Sequence, residues 1–117
     1  MSASVLVVDD EASARTYCTQ ALRSLGFEAE AVASAREALV VLERGSADVV
    51  LADLRMPGMT GIDLLKAIRR DYPDLDVVVM TGYGSVPSAV EAMKLGAYDY
   101  LTKPFKLDDL RRVFARL

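Results

Sequence analysis

The stretch Val5-Leu6-Val7-Val8-Asp9-Asp10 decides the fold, because an unbroken apolar run ends abruptly in two carboxylates. A strand that is apolar at every position is buried on both faces, which is typical of the centre of a parallel sheet. Residues 49–52 and 77–80 form similar runs, followed by Asp53 and by Thr81. We therefore expect three central strands that end in polar side chains.

Two other segments, 27–32 and 98–101, alternate apolar and polar residues, as edge strands do. A pattern of helical period follows each of the five predicted strands. This alternation predicts one α/β domain over residues 1–117, with a doubly wound, flavodoxin-like, five-stranded parallel sheet. Right-handed crossovers and two edge strands favour the strand order 2-1-3-4-5.

Start and stop signals delimit the helices. The predicted N-caps are Ser34, Thr60 and Ser85, and the predicted helix ends are Gly26, Gly45 and Gly96. The first helix has an apolar stripe made of Ala14, Tyr17, Cys18, Ala21, Leu22 and Leu25. The last helix is defined by Leu107, Leu110, Phe114 and Leu117, and we expect it to be still running where the chain stops.

Composition excludes several classes of protein. Seventeen acidic residues outnumber 14 basic ones, for a formal charge of -3, which argues against direct binding to nucleic acid. The apolar runs are too short to cross a membrane and the start is unlike a signal peptide, so we expect a cytosolic protein. The chain has one cysteine and no histidine, so it has no internal disulfide, Ser-His-Asp triad or usual zinc site. On its apolar stripe, Cys18 is predicted to be a core residue rather than a reactive thiolate.

Ligands of a doubly wound sheet bind beyond the carboxyl ends of its strands. At those ends the sequence places Asp9, Asp10, Asp53, Thr81 and Lys103. Taken alone, the acidic pair would also fit an ordinary turn before a helix. Three clustered carboxylates repel one another, and Lys103 plus a divalent cation would bring the net charge to zero. A hard cation with oxygen ligands is required, which favours Mg²⁺.

The nucleophile available at this edge is a carboxylate, which needs no base because it is already ionised. Beside Mg²⁺ and Lys103, such a group is suited to receive a phosphoryl group by in-line transfer. Asp53 is the best acceptor because it stands alone at the end of a central strand. Thr81 is placed to donate a hydrogen bond to the bound phosphoryl group.

These residues resemble the receiver domains of two-component response regulators. The resemblance rests on motifs in matching order along nearly the whole chain, namely Val5-Leu6-Val7-Val8-Asp9-Asp10-Glu11, Asp53-Leu54-Arg55-Met56-Pro57-Gly58-Met59-Thr60-Gly61, Met80-Thr81-Gly82 and Lys103-Pro104-Phe105. It implies a phospho-acceptor that phosphorylates itself from a donor, with autophosphatase activity as an open question, rather than an enzyme that turns over.

The resemblance also implies a role for each site residue. Asp53 is the phospho-acceptor, and it binds Mg²⁺ together with Asp10 and the backbone carbonyl of Arg55, while Asp9 acts mainly through water. Thr81 and Lys103 contact the phosphoryl group. The Lys103–Pro104 bond is expected to be cis.

Switching in this family implies that Thr81 moves toward the phosphoryl group and lets Tyr100 rotate inward. The face made by the fourth helix, fifth strand and fifth helix then changes shape, and it is the candidate surface for a homodimer. The alternation of Tyr98 with Tyr100 fits ordinary edge-strand packing equally well. Arg55 and Tyr83, each two residues past a site residue, are predicted to tune the lifetime of the phosphoryl group.

The segment from Met80 to Phe105 is most similar to receivers of the nitrogen-regulator type, which precede an AAA+ ATPase that activates transcription with the alternative sigma factor. The implied partners are a sensor histidine kinase or a histidine phosphotransfer protein, and an output domain. Lys106 stands where such receivers often have an acidic or capping residue, so the start of the last helix is expected to be less firmly fixed.

Four alternatives stay open. The first is the receiver of a hybrid sensor kinase. The second is a receiver-like interaction module that is not phosphorylated. The third is a flavodoxin-like module that binds a flavin or nucleotide phosphate, which the acidic loop at Asp9-Asp10-Glu11 would repel. The fourth is a magnesium phosphatase, which would usually have a second acid at position 55 instead of Arg55.

Overall fold

In a computed structural model, which describes residues 3–82 and 86–117, five parallel strands form one sheet in the order β2-β1-β3-β4-β5. The strands are β1 (Ser4–Val8), β2 (Glu28–Val32), β3 (Val49–Asp53), β4 (Asp76–Thr81) and β5 (Asp99–Thr102). The predicted fold class and strand order are confirmed, and each predicted strand agrees with the observed one to within one residue at either end.

The register of the strands aligns their carboxyl ends. Val8 of β1 pairs with Ala52 of β3, so Asp9 and Asp53 follow at the same level of the sheet. On the other side of β3, Asp53 pairs with Met80 of β4, which places Thr81 one residue further along. One edge of the sheet therefore carries the polar side chains that the sequence predicts there.

Five helices connect and cover the strands: α1 (Ala12–Ser24), α2 (Ala35–Leu42), α3 (Gly61–Asp71), α4 (Val86–Lys94) and α5 (Leu107–Phe114). The Ser34 hydroxyl accepts the Glu37 N–H at 3.2 Å, and Thr60 forms a reciprocal capping box with Asp63. Both predicted N-caps are confirmed, whereas Ser85 lies outside the described residues. Gly26, Gly45 and Gly96 follow their helices with positive φ, as expected for left-handed helix ends.

The start of α5 is fixed without a capping side chain at Lys106. The carboxylate of Asp109 accepts the backbone N–H of Lys106 at 2.9 Å, and Asp108 adds a second acidic group to the first turn. Negative charge near a helix N-terminus is favourable, so Asp108 and Asp109 stabilise the start of α5 although Lys106 provides no capping side chain.

Apolar side chains pack on both faces of the sheet. Helices α2, α3 and α4 cover one face, with Leu64, Leu65 and Ile68 of α3 fully buried there. Helices α1 and α5 cover the other face, where Cys18 and Phe114 are buried. The prediction that Cys18 is a core residue is confirmed.

Two helix predictions differ from the structure. The last helix ends at Phe114, and Leu117 is 38% exposed beyond it, because Leu110, Val113 and Phe114 already complete the face that packs on the sheet. Tyr17 lies at the border of the α1 stripe and is 44% exposed instead of buried. Within the described residues, no helix is long and apolar enough to span a membrane.

Candidate functional site

Asp9 follows β1 and its side chain is completely buried. Its Oδ1 accepts the backbone N–H of Glu11 at 3.0 Å, and its Oδ2 accepts a hydrogen bond from Lys103 Nζ at 2.6 Å. Arg15 of α1 donates from Nη1 to the Asp9 backbone carbonyl at 2.8 Å. A carboxylate that is buried away from water needs hydrogen-bond donors from the protein, and each oxygen of Asp9 has one such donor.

Asp53 ends β3 in the same local geometry. Its Oδ1 accepts the backbone N–H of Arg55 at 3.1 Å, and its Oδ2 accepts a hydrogen bond from Lys103 Nζ at 3.1 Å. Both aspartates thus bond to the backbone two residues further on, a turn that this side chain favours. In this conformation the second oxygen of each carboxylate accepts a hydrogen bond from the same Lys103 ammonium.

Lys103 lies between the two aspartates, with its side chain 23% exposed. Its backbone N–H donates to the carbonyl oxygen of Thr81 at 2.6 Å, which ties the segment after β5 to the end of β4. Thr81 is itself buried, one residue beyond the β4 residue that pairs with Asp53. The Lys103–Pro104 peptide bond is cis, as expected.

Three carboxylates can contribute to one cation site. One oxygen atom each from Asp9, Asp10 and Asp53 lies within 4.8 Å of the others. Asp10 is exposed, so the cluster is open to solvent on one side. Hard divalent cations take oxygen ligands and keep several waters, and this donor set suits such an ion.

Burial and charge act against each other at this site. Burial raises the pKa of Asp53 above its ordinary 3.8, and the Arg55 N–H and the Lys103 ammonium offset that only in part. Burial would lower the pKa of Lys103, but its hydrogen bonds to Asp9 and Asp53 outweigh burial and raise it. Lys103 is therefore firmly protonated, while ionised Asp53 is held at a cost in free energy.

Gly61 is a site residue whose role the sequence does not show. It begins α3, and a Cβ atom there would meet the carbonyl oxygen of Asp53 and lie 2.6 Å from the Cα atom of Leu54. The turn after Asp53 is thus packed directly on the backbone of α3, which only glycine permits. Thr60-Gly61 at a helix start is the one sequence signal, and it is equally typical of an ordinary cap.

The remaining predicted residues lie around this centre. The phenol of Tyr100 is exposed (42%) and lines a shallow groove with Val90 and Met93 of α4. Arg55 has an exposed side chain next to Asp53. Tyr83 lies outside the described residues. The structure thus brings Asp9, Asp10, Asp53 and Lys103 into one cluster, with Thr81 adjoining it, and leaves Tyr100 on the neighbouring surface.

Comparison with known proteins agrees with this geometry. Residues 5–115 match the response regulator receiver domain. The chain is 47% identical over 116 residues to the response regulator protein FleR of Pseudomonas aeruginosa, covering 99% of this chain and 24% of FleR. It is 42% identical over 105 residues to the DNA-binding transcriptional regulator NtrC of Salmonella typhimurium, covering 90% of this chain and 22% of NtrC. Similarity to the nitrogen-regulator type is confirmed.

Solved structures show the same fold. NtrX from Brucella abortus superposes with a TM-score of 0.94 at 36% identity, over 99% of this chain and 27% of NtrX. The chemotaxis protein CheY4 of Vibrio cholerae gives 0.91 at 34% identity, over 99% of this chain and 98% of CheY4. The chain spans about a quarter of the length of the curated relatives that it matches.

Proposed function

The chain belongs to the response regulator receiver domain family, and from that premise we propose that it accepts a phosphoryl group on Asp53. The observation that carries the proposal is the joint contact of Lys103 Nζ with Asp9 and Asp53, at 2.6 and 3.1 Å, at the open edge of the sheet. One ammonium between two buried carboxylates leaves one negative charge unbalanced. A divalent cation would balance that charge and would also stabilise the negative charge of an incoming phosphoryl group.

Mg²⁺ is the proposed cofactor. Asp10, Asp53 and the backbone carbonyl of Arg55 would hold it, and Asp9 would contribute mainly through water. The support is the convergence of the three carboxylates and the exposure of Asp10, which leaves room for water ligands. When bound, Mg²⁺ supplies positive charge that stabilises negative charge on the phosphoryl oxygens.

In the proposed reaction, an oxygen of Asp53 attacks the phosphorus of a phosphohistidine on a partner protein. The new P–O bond forms as the P–N bond breaks, and the histidine leaves with the bond's electron pair and takes up a proton. Lys103, already beside Asp53, stabilises the charge on the equatorial oxygens. Thr81, buried at the end of the neighbouring strand, would donate a hydrogen bond from its hydroxyl to an oxygen of the bound phosphoryl group. No base is required, since Asp53 is ionised.

The proposed partners follow from the same assignment. The histidine must come from a sensor kinase or a histidine phosphotransfer protein, because this chain contains no histidine. This chain covers 24% of FleR and 22% of NtrC, and NtrC is a DNA-binding transcriptional regulator. The receiver would therefore control an output domain in a longer protein, and transcription is the proposed output. Thr81 and Tyr100 would carry the change to the face formed by α4, β5 and α5, through which a homodimer would form.

The test is phosphorylation by a small donor. With acetyl phosphate and Mg²⁺, the intact mass should rise by one phosphoryl group. Asp53→Asn should abolish the addition, and the matched change Asp74→Asn, at an exposed aspartate after α3, should leave it intact. Failure of the folded wild-type protein to gain mass would overturn the proposal and favour an interaction module that is not phosphorylated.

A further inference from the structure

Tyr17 of α1 is bonded to the segment that carries Lys103. Its hydroxyl donates to the backbone carbonyl of Phe105 at 3.0 Å, across 88 residues of sequence. The two rings also meet edge to face, with centroids 5.8 Å apart and planes at 63°. This contact, which we call the Tyr17–Phe105 clasp, closes α1 against the segment between β5 and α5.

Two hydrogen bonds fix the chain around Lys103, one to β4 at Lys103 itself and one in the clasp two residues later. Upstream, the Lys103 N–H is bonded to Thr81, while downstream Phe105 is bonded to Tyr17. Pro104 lies between the two anchors, and its ring fixes its own φ, so displacement of Phe105 is transmitted to Lys103. Tyr17, Phe105 and Lys103 line a single groove.

We propose that Tyr17 is a positioning residue for Lys103: its hydroxyl keeps the 103–105 segment where the ammonium reaches both carboxylates. This inference rests on the proposed phosphoryl transfer to Asp53. The ammonium must meet charge that develops in the transition state, and a small misplacement of such a group lowers the rate. Tyr17 touches neither the carboxylates nor the phosphoryl group, so it acts through Lys103.

The Tyr17 hydroxyl contributes little to folding. Tyr17 is 44% exposed and its hydrogen bond is at the surface, so water can replace the hydroxyl at the Phe105 carbonyl when it is removed. The ring contact persists in Tyr17→Phe. The inference therefore predicts a rate effect without a matching loss of thermal stability.

The experiment measures phosphorylation by acetyl phosphate and Mg²⁺ through intact mass, with the wild type and Tyr17→Phe. Tyr72→Phe is the matched control, because Tyr72 lies directly after α3 and not in the clasp. A small donor excludes any effect of Tyr17 on docking to a kinase. Loss of one hydrogen bond should lower the maximal rate of Tyr17→Phe by about three- to tenfold. The half-saturating acetyl phosphate concentration, the melting temperature and the Tyr72→Phe rate should stay as in the wild type.

A double-mutant cycle with Lys103→Ala tests whether Tyr17 affects the rate through Lys103. If Tyr17 acts through Lys103, Tyr17→Phe should have no further effect on the slow phosphorylation of Lys103→Ala. Equal maximal rates for the wild type and Tyr17→Phe, or the same fold-loss in both backgrounds, would overturn the inference and leave the proposed function standing. A wild type that is not phosphorylated would overturn both.

Discussion

Replacing Lys103 by methionine should destabilise the protein, and Mg²⁺ should restore it. Lys103 Nζ contacts the fully buried Asp9 at 2.6 Å and Asp53 at 3.1 Å, so its removal leaves two carboxylates facing each other without a counter-charge. Breaking a buried ion pair costs about 3–5 kcal/mol. Because the Lys103 side chain is 23% exposed and water screens part of its charge, we expect a loss at or just below the bottom of that range, about 2–3 kcal/mol.

For a domain of this size, each kcal/mol corresponds to about 3–4 °C in melting temperature, so Lys103→Met should melt about 6–12 °C below the wild type. Circular dichroism at neutral pH, in the presence of a chelator, measures the difference. Lys66→Met removes an exposed lysine from α3 and is the matched control, with no change expected. Mg²⁺ at a hundred times its Kd for the variant adds about 2.7 kcal/mol, which would cancel most of the loss. The same Mg²⁺ concentration should stabilise Lys66→Met less, because the Lys103 ammonium is still present there and repels the cation.

Two outcomes would refute this reasoning. If Lys103→Met has the same melting temperature as the wild type, the ammonium does not balance the charge of the buried carboxylates. If the variant melts lower but Mg²⁺ raises its melting temperature no more than that of Lys66→Met, the loss comes from packing of the lysine stem and not from charge.

Three further predictions concern single side chains. Burial raises the pKa of Asp53, so the ionised carboxylate lowers the stability of the folded protein at neutral pH. Without Mg²⁺, Asp53→Asn should therefore have a higher melting temperature than the wild type at neutral pH. This difference in melting temperature should disappear as the pH falls toward 3.8, the ordinary pKa of the group. Gly61→Ala should push the Asp53–Leu54 backbone away, lowering stability by about 1–3 kcal/mol in denaturant titrations and slowing phosphorylation, whereas Gly82→Ala, with open space around its Cβ, should melt as the wild type. Burial, with a smaller effect from Asp9, raises the pKa of Cys18 to about 11, so a thiol reagent should modify it only after unfolding; rapid labelling of the native protein would contradict its place in the core.

The sheet is predictable from the sequence because its central strands are buried on both faces. The runs at 5–8, 49–52 and 77–80 have no polar position, and this feature alone distinguishes central from edge strands. The polar residues that follow them are then forced together, since parallel strands end at the same edge. Position at the ends of the central strands therefore predicts that Asp9, Asp53 and Thr81 lie together, and the alternating strand at 98–101 adds Lys103 at the same edge.

The sequence could not show how the cluster is held. The approach of the Asp53 backbone to Gly61 depends on where α3 packs, and the bond from Arg15 to the Asp9 carbonyl depends on a side-chain path around α1. Tyr17 satisfies the helical period of a buried stripe, yet it is 44% exposed and contacts Phe105, 88 residues away in the sequence. Such contacts are tertiary and leave no local pattern.

The two buried aspartates are not equivalent, and their difference supports the choice of Asp53 as acceptor. Lys103 lies closer to Asp9, at 2.6 Å, than to Asp53, at 3.1 Å. Asp9 is fully enclosed, with one partner on each oxygen, so no phosphorus atom can reach it. Burial raises the pKa of Asp53 despite its own two hydrogen bonds, so its negative charge is not fully compensated. A carboxylate with uncompensated negative charge at this edge gains most from a bound cation, and that cation would also stabilise the negative charge that an incoming phosphoryl group brings.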